Sequence, residues 1–204
     1  MAEPEPFDAV ILAGGAARRM GGGDKPGLDV GGSSLVERVA SAAAGAGAAQ
    51  VVVVGPPRER PAARYVREDP PGAGPVPALG AGLACVAQPR FALLAGDLPF
   101  LHAAHVDALR RAARQRTGAV LVDGQGRIQW LLGVWDTGAV RGALAAYEGR
   151  SLRGLLGPLE PALVAAEGKL ARAALDCDTP EELARAREGG ADGPGHGAPP
   201  RGRG

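Results

Sequence analysis

Phe7-Asp8-Ala9-Val10-Ile11-Leu12-Ala13-Gly14-Gly15-Ala16-Ala17-Arg18-Arg19-Met20-Gly21-Gly22-Gly23-Asp24-Lys25 is a short apolar run followed by a cationic, glycine-rich loop. Residues 7–12 read as a buried strand, and the Gly14-Gly15 pair ends it. A loop is predicted from Gly14 to Gly32. Backbone amides that leave a strand tip can converge on an anion, and glycines let phosphate oxygens approach closely. Arginine and lysine in the same loop supply the charge a triphosphate requires. The loop is not of the Walker A type, because no Gly-Lys-Ser/Thr stands at the required spacing. It also lacks the G-x-G-x-x-G dinucleotide fingerprint.

Working outward, Ser34-x-x-Glu37 has capping-box spacing and opens a predicted helix running to about Ala44. Gln50–Val54 is a second strand, nearly all β-branched. Asp69–Pro75 is a loop by composition, and a helix is expected over Leu79–Ala87. Phe91–Ala95 is a third buried strand, broken at Gly96-Asp97-Leu98-Pro99. A helix over 103–114, a strand at 119–122, a hairpin around Gly124 and a strand at 128–135 follow. Two short helical stretches, a strand at 162–165 and a helix capped by Thr179 with Pro180 at its first position complete the pattern. Short apolar strands alternating with helices predict an α/β protein. Its sheet is mainly parallel, covered on both faces, with one antiparallel insertion at the hairpin. Ligands in such sheets sit at the carboxyl ends of the strands. The loops at 14–25, 69–82 and 96–100 are therefore the candidate site.

The 204 residues suit one domain with a sizeable core. We read residues 1–6 as a flexible leader, 7–188 as the domain, and 189–204, rich in Gly, Pro and Arg, as a disordered tail. Twenty-three basic and 22 acidic side chains leave a net charge of +1, so nucleic acid is not the default partner. Cys85 and Cys177 are too few for a disulfide framework, which suits a reducing cytoplasm. No apolar run is long enough to cross a membrane.

Asp97 ends an apolar strand, where a carboxylate is costly to hold without a partner. A magnesium ion bridging phosphate oxygens would be such a partner. An Asp before Pro also starts turns for purely local reasons. Asp176-Cys177-Asp178-Thr179-Pro180-Glu181-Glu182 makes a good helix start and needs no further role. His102 and His105 read as surface residues, and Trp130 and Trp135 as core packing.

The string L-A-G-G-x-x-x-R-M-G-G-x-D-K from Leu12 to Lys25 resembles the molybdenum cofactor guanylyltransferases, within a superfamily of nucleotidyltransferases. The resemblance covers roughly residues 8–188. It implies a three-layer αβα, Rossmann-like fold of the nucleoside-diphospho-sugar transferase type. It implies transfer of GMP from GTP to molybdopterin, with Mg2+ as cofactor and loss of pyrophosphate. Leu12, Ala13, Gly14, Gly15, Arg19 and Lys25 would then contact the nucleotide, with Lys25 on the phosphates and Arg18 a less certain contact. Asp97, Pro99 and Phe100 match the family's D-x-P-F motif, whose Asp binds the metal. Asp178 matches a position beside that metal and would be a second ligand. Gly74, Pro75, Gly82 and Leu83 match the segment that shapes the base pocket, while Ala78 stands where the family has Gly. Asp69 would accept from guanine's N1–H and amino group. Gln129–Trp135 is similar to a stretch facing the acceptor, with Trp130 in place of the usual Pro.

An acceptor phosphate, with a second pKa of about 6, is already a dianion at neutral pH, so no general base is needed. Lys25, Arg19 and the metal on Asp97 would act by neutralising charge. The expected partners are GTP and molybdopterin, with a molybdoenzyme or cofactor-insertion protein receiving the product, and the chain is expected to be a monomer. The rivals are a cytidylyltransferase for the same cofactor and a sugar-1-phosphate or phospholactate transferase. A non-catalytic nucleotide-binding regulator stands further off, because it would not need both Lys25 and Asp97.

Overall fold

The computed structural model describes residues 5–14, 25–30 and 32–166. Its centre is a seven-stranded sheet in the order β5-β4-β1-β6-β8-β7-β9. The strands are β1 (Phe7–Leu12), β4 (Val51–Val54), β5 (Arg64–Val66), β6 (Arg90–Ala95), β7 (Gly118–Val122), β8 (Ile128–Asp136) and β9 (Ala162–Ala165). β4 and β6 flank β1 in parallel, β5 continues beyond β4, and β9 pairs parallel to β7. β8 runs antiparallel to both β6 and β7, which is the predicted insertion. Two-residue strands β2 (Asp29–Val30) and β3 (Ser33–Ser34) form a small separate pair, partly within the stretch read as loop.

Helices cover both faces, so each central strand is apolar on both sides. On one face α1 (Leu35–Gly45) and α3 (Ala103–Ala113) pack over Phe7, Ala9, Ile11, Val53 and Leu94. On the other, α2 (Pro75–Leu83), α4 (Thr137–Ala145) and α5 (Leu152–Leu156) pack over Val10, Val52, Val54, Leu93 and Trp135. Each fully buried Val, Leu or Phe stabilises by about 1.5–3 kcal/mol.

Local signals hold where the chain closes its own hydrogen bonds. Ser34 caps α1 as expected: its hydroxyl accepts from the Glu37 N–H, and the Glu37 carboxylate accepts from the Ser34 N–H at 2.8 Å. The hairpin between β7 and β8 turns on Asp123. Its carboxylate accepts from the N–H groups of Gln125 and Arg127, both at 2.9 Å, and from the Arg127 and Gln129 side chains. The bonds from Arg127, its N–H first, and from the Gln125 N–H hold the Asp123 pKa down to about 2. Asp8, buried inside β1, is satisfied by the N–H groups of Ala87 at 2.7 Å and Gln88 at 3.2 Å.

Packing overrides propensity elsewhere. α2 begins at Pro75 and ends at Leu83, ahead of the expected 79–87. Pro75 fits the first helical turn, where its missing N–H costs nothing, and Gly74 takes φ 110° before it. Gly82 lets α2 lie directly on the sheet. A Cβ there would fall on Val10 Cγ1 and stand 2.9 Å from Val54 Cγ2. Gly82→Ala should therefore lower stability by about 1–3 kcal/mol through overpacking. Urea unfolding checks this, and an unchanged midpoint would show that the α2–sheet spacing is loose.

β5 went unforeseen because its three residues sit in a polar stretch. Glu5, read as part of a loose leader, is tied down: Arg90 pairs with its carboxylate at 3.0 Å and Arg110 donates to its carbonyl at 3.0 Å. His105 is also a correction, since it is only 3% exposed and its Nδ1 accepts from the His102 N–H at 2.9 Å. It locks the first turn of α3, while His102 stays exposed. Thr179 and the tail lie outside the described residues.

Candidate active site

After β1 the chain crosses to β4 and β5 on one side, then returns to β6 on the other. The sheet's direction of winding reverses at β1, and the crevice at the carboxyl ends of β1 and β6 is the topological switch point. The strand tips lie level there, with Leu12 beside both Val54 and Ala95. Pairing continues one residue further: the Ala13 N–H donates to Val54 O and the Gly96 N–H to Leu12 O, both at 2.9 Å. The exits are so close that two of them require glycine. A Cβ on Gly55 would lie 2.8 Å from Ala13 O, and one on Gly96 would lie 2.9 Å from Ala13 Cβ.

This edge brings together several of the residues singled out above. Leu12 is half-buried, Ala13 is buried and Gly14 is exposed at the tip of β1. Asp97 follows Gly96 at the tip of β6 and is half-buried. Beside it opens a cavity of about 570 Å³, lined by Asp97, Leu98, Pro75, the first residues of β8 and the loop before α5. Pro75 thus starts α2 on the wall of the cavity that Asp97 lines, with Gly74 just before it. The backbone of Lys25 opens a 3-10 turn (Lys25–Gly27) that leads into α1 through β2 and β3. Gly15, Arg18, Arg19 and Asp178 lie outside the described residues.

The adjacent carboxylates at the exit of β5 part company. Asp69 is exposed on the loop, whereas Glu68 is 7% exposed. Glu68 Oε1 accepts the Gly72 N–H at 2.8 Å and lies 3.8 Å from where a Gly14 Cβ would stand. Its Oε2 is buried with no hydrogen-bond partner among the described residues. A buried oxygen left unsatisfied costs about 1–3 kcal/mol, so this carboxylate favours the approach of a donor. Sequence reading passed over Glu68. The signal that could have found it is its place two residues after an apolar β5 residue, at the same sheet edge as Gly14.

Among the described residues no three His, Cys, Asp or Glu side chains gather into a metal cage. Among the described residues, the Asp97 carboxylate stands at the switch point as an oxygen donor. A hard divalent cation accepts such a donor and completes its shell from phosphate oxygens and water.

Residues 9–167 match the family described as the MobA-like NTP transferase domain. A probable molybdenum cofactor guanylyltransferase of Mycobacterium avium is 32% identical over 165 residues, covering 76% of this chain and 83% of that protein. Molybdopterin-guanine dinucleotide biosynthesis protein A of Archaeoglobus fulgidus superposes with a TM-score of 0.70 at 20% identity, covering 89% of this chain and 97% of that one. The 2-C-methyl-D-erythritol 4-phosphate cytidylyltransferase of Thermus thermophilus superposes with a TM-score of 0.68 at 23% identity, covering 90% and 98%. At these identities the two structures share the fold with this chain, and the fold alone does not select the base.

Proposed function

The chain belongs to the MobA-like NTP transferase domain family and is a nucleotidyltransferase, and we propose that it moves GMP from GTP onto the phosphate of molybdopterin. One observation carries this reading above the others: the Gly96 N–H at the exit of β6 donates to Leu12 O at the end of β1, so Ala13–Gly14 and Gly96–Asp97 leave the sheet side by side at the switch point. A triphosphate on the glycine loop therefore lies within the field of the Asp97 carboxylate.

In the reaction an oxygen of the acceptor phosphate bonds to the α-phosphorus of GTP. The bond from that phosphorus to the β-bridging oxygen breaks, and pyrophosphate leaves. Mg2+, held by Asp97 and the nucleotide's own oxygens, would neutralise the charge that builds on the phosphates. Lys25 and Arg19 supply the cationic side of the same task. Asp178 remains the candidate for a second ligand. The acceptor arrives as a dianion, so no residue has to remove a proton from it.

Glu68 gives the base reading its chemistry. Guanine presents two adjacent donors, the N1–H and the 2-amino group, and Glu68 offers a buried acceptor beside Gly14. Adenine presents a lone pair at N1 in that place. Glu68 is therefore our choice for the guanine acceptor ahead of Asp69.

The experiment is a binding panel of GTP, ATP, CTP and UTP, with and without Mg2+. GTP is expected to bind at least about tenfold more tightly than ATP, and only fully so with the metal. Equal binding of GTP and ATP would remove the guanine reading. A preference for CTP would make the chain a cytidylyltransferase.

A further inference from the structure

The amino-terminal end of the sheet, opposite the switch point, has a cavity of its own, of about 240 Å³, at the last turn of α3. β1 and β6 both start there, with Phe7 level with Arg90. The 6 residues of β6, at about 3.3 Å each, set this cavity about 20 Å from Gly96 and Asp97. It is a separate place on the molecule, and the transferase reading leaves it unused.

Four arginines border it: Arg90 from the start of β6, and Arg110, Arg111 and Arg114 from the end of α3. Two of them are built into the fold. Arg90 donates through Nε to the Glu5 carboxylate at 3.0 Å and through Nη1 to Arg116 O at 2.8 Å. Arg110 lies over the Phe7 ring, with Cζ 4.3 Å from its centroid. It donates to Ala46 O and Glu5 O, both at 3.0 Å, and to the Asp107 carboxylate at 3.1 Å. The two side chains are only 13% and 16% exposed, so both guanidinium groups are held in place. Arg111 and Arg114 are exposed, and their guanidinium groups meet no hydrogen-bonding or ionic partner among the described residues.

The charges around the cavity do not cancel. Glu5 and Asp107 are its two carboxylates, already engaged by Arg90 and Arg110, so four arginines leave it a charge of +2. Arg114 stands three residues after Arg111 and four after Arg110, spacings at which like charges on a helix repel. The carbonyls at the end of α3 offset part of that repulsion. A solvated helix end accounts for one exposed arginine. It does not account for three that meet a fourth, from another element, around one concavity.

We propose that this cavity binds a phosphate dianion, free or as the phosphate of a small phosphomonoester. Arg90 and Arg110 are the fixed half of the seat, and Arg111 and Arg114 complete it from the helix. Guanidinium forks present paired donors that match phosphate oxygens. A phosphomonoester, with a second pKa of about 6, brings the two negative charges that the cavity lacks. The volume is below the roughly 300–1,000 Å³ of pockets that take larger ligands, which suits a phosphate and not a whole nucleotide. A bound dianion would tie the end of α3 to the start of β6 and stabilise the folded chain by mass action.

The test uses the full chain at neutral pH and fixed ionic strength, because salt screens such contacts. The probes are inorganic phosphate and glycerol phosphate, followed by calorimetry and by melting temperature. The glycine loop also attracts phosphate, so two variants separate the places: Arg111→Gln with Arg114→Gln, and Lys25→Gln. Saturable binding is expected in the parent. It should weaken at least about tenfold in the arginine pair and stay within about twofold of the parent's in Lys25→Gln. Without phosphate the arginine pair should melt as the parent does, since both side chains are exposed, while the rise in melting temperature with phosphate should be lost. Tighter binding of glycerol phosphate would make a phosphomonoester the ligand, and equal binding the free ion; either result upholds the site. Unchanged binding in the arginine pair would overturn it. Loss confined to Lys25→Gln would place the phosphate in the nucleotide loop and also overturn it. So would a dissociation constant above about 1 mM in the parent.

Discussion

Asp97→Ala is expected to lower transfer by at least about 10³-fold, or about 4 kcal/mol of transition-state stabilisation, with the fold retained. The carboxylate stands past the last paired residue of β6 and supports no part of the apolar core. Its removal takes away the oxygen donor at the switch point and leaves the strand tips in place. Asp97→Asn separates charge from shape, because the amide fills the same space yet binds a divalent cation weakly. Both variants should be slow, and raising Mg2+ should recover part of the rate in neither. Pyrophosphate release at saturating GTP and Mg2+ reads the effect, and melting temperature reports the fold. Turnover within about tenfold of the parent would take Asp97 out of the reaction. A fall in melting temperature of the size caused by Gly82→Ala would mean that Asp97 matters to the fold first.

Asp97 could be picked out from sequence because everything that marks it is local. An apolar strand, a Gly, an Asp and a Pro follow one another within nine residues of chain, Phe91 to Pro99. The same holds for β1 and its glycine loop, and for the capping box at Ser34. Features that depend on what lies across the sheet were not legible. Gly80-Ala81-Gly82 falls inside the expected helix, but that the helix starts at Pro75 and needs glycine at 82 becomes clear only when Val10 and Val54 are seen pressed against Gly82. Strand alternation sets Trp130 and Trp135 on opposite faces, yet their rings stack with centroids 6.4 Å apart. The cause is a bulge in β8, where Val120 faces Gly133 and Leu121 faces Gln129, a property of the β7–β8 pairing that neither strand carries alone. His105 looked like a surface residue because its partner is the backbone of His102 within the same helix start. Glu68 and Asp69 are adjacent acids, and sequence order cannot say which turns inward. That is settled by the loop folding back so that the Gly72 N–H meets Glu68.

Glu68→Gln should convert that geometry into a change of base preference. The Gly72 N–H can donate only to an oxygen, so the new amide must keep its carbonyl there, in the place of Oε1. Its NH2 group is then forced into the position of Oε2, the buried oxygen with no partner among the described residues. An acceptor for guanine's N1–H becomes a donor, and two donors meet. Losing a hydrogen bond to a charged group costs about 1.5–3 kcal/mol, or roughly ten- to a hundredfold in GTP affinity. ATP, whose N1 is an acceptor, should hold its affinity or gain. The ratio of GTP to ATP affinity should therefore fall by at least about tenfold in total. Because the Gly72 contact is retained, the melting temperature should move little. Asp69→Asn is the companion measurement: Asp69 is exposed, so its removal should leave GTP binding within about twofold of the parent. Competition binding of GTP and ATP with Mg2+ on the three proteins decides between the two acids. A loss confined to Asp69→Asn would return guanine recognition to Asp69. Unchanged ratios in both variants would place the base away from the exit of β5.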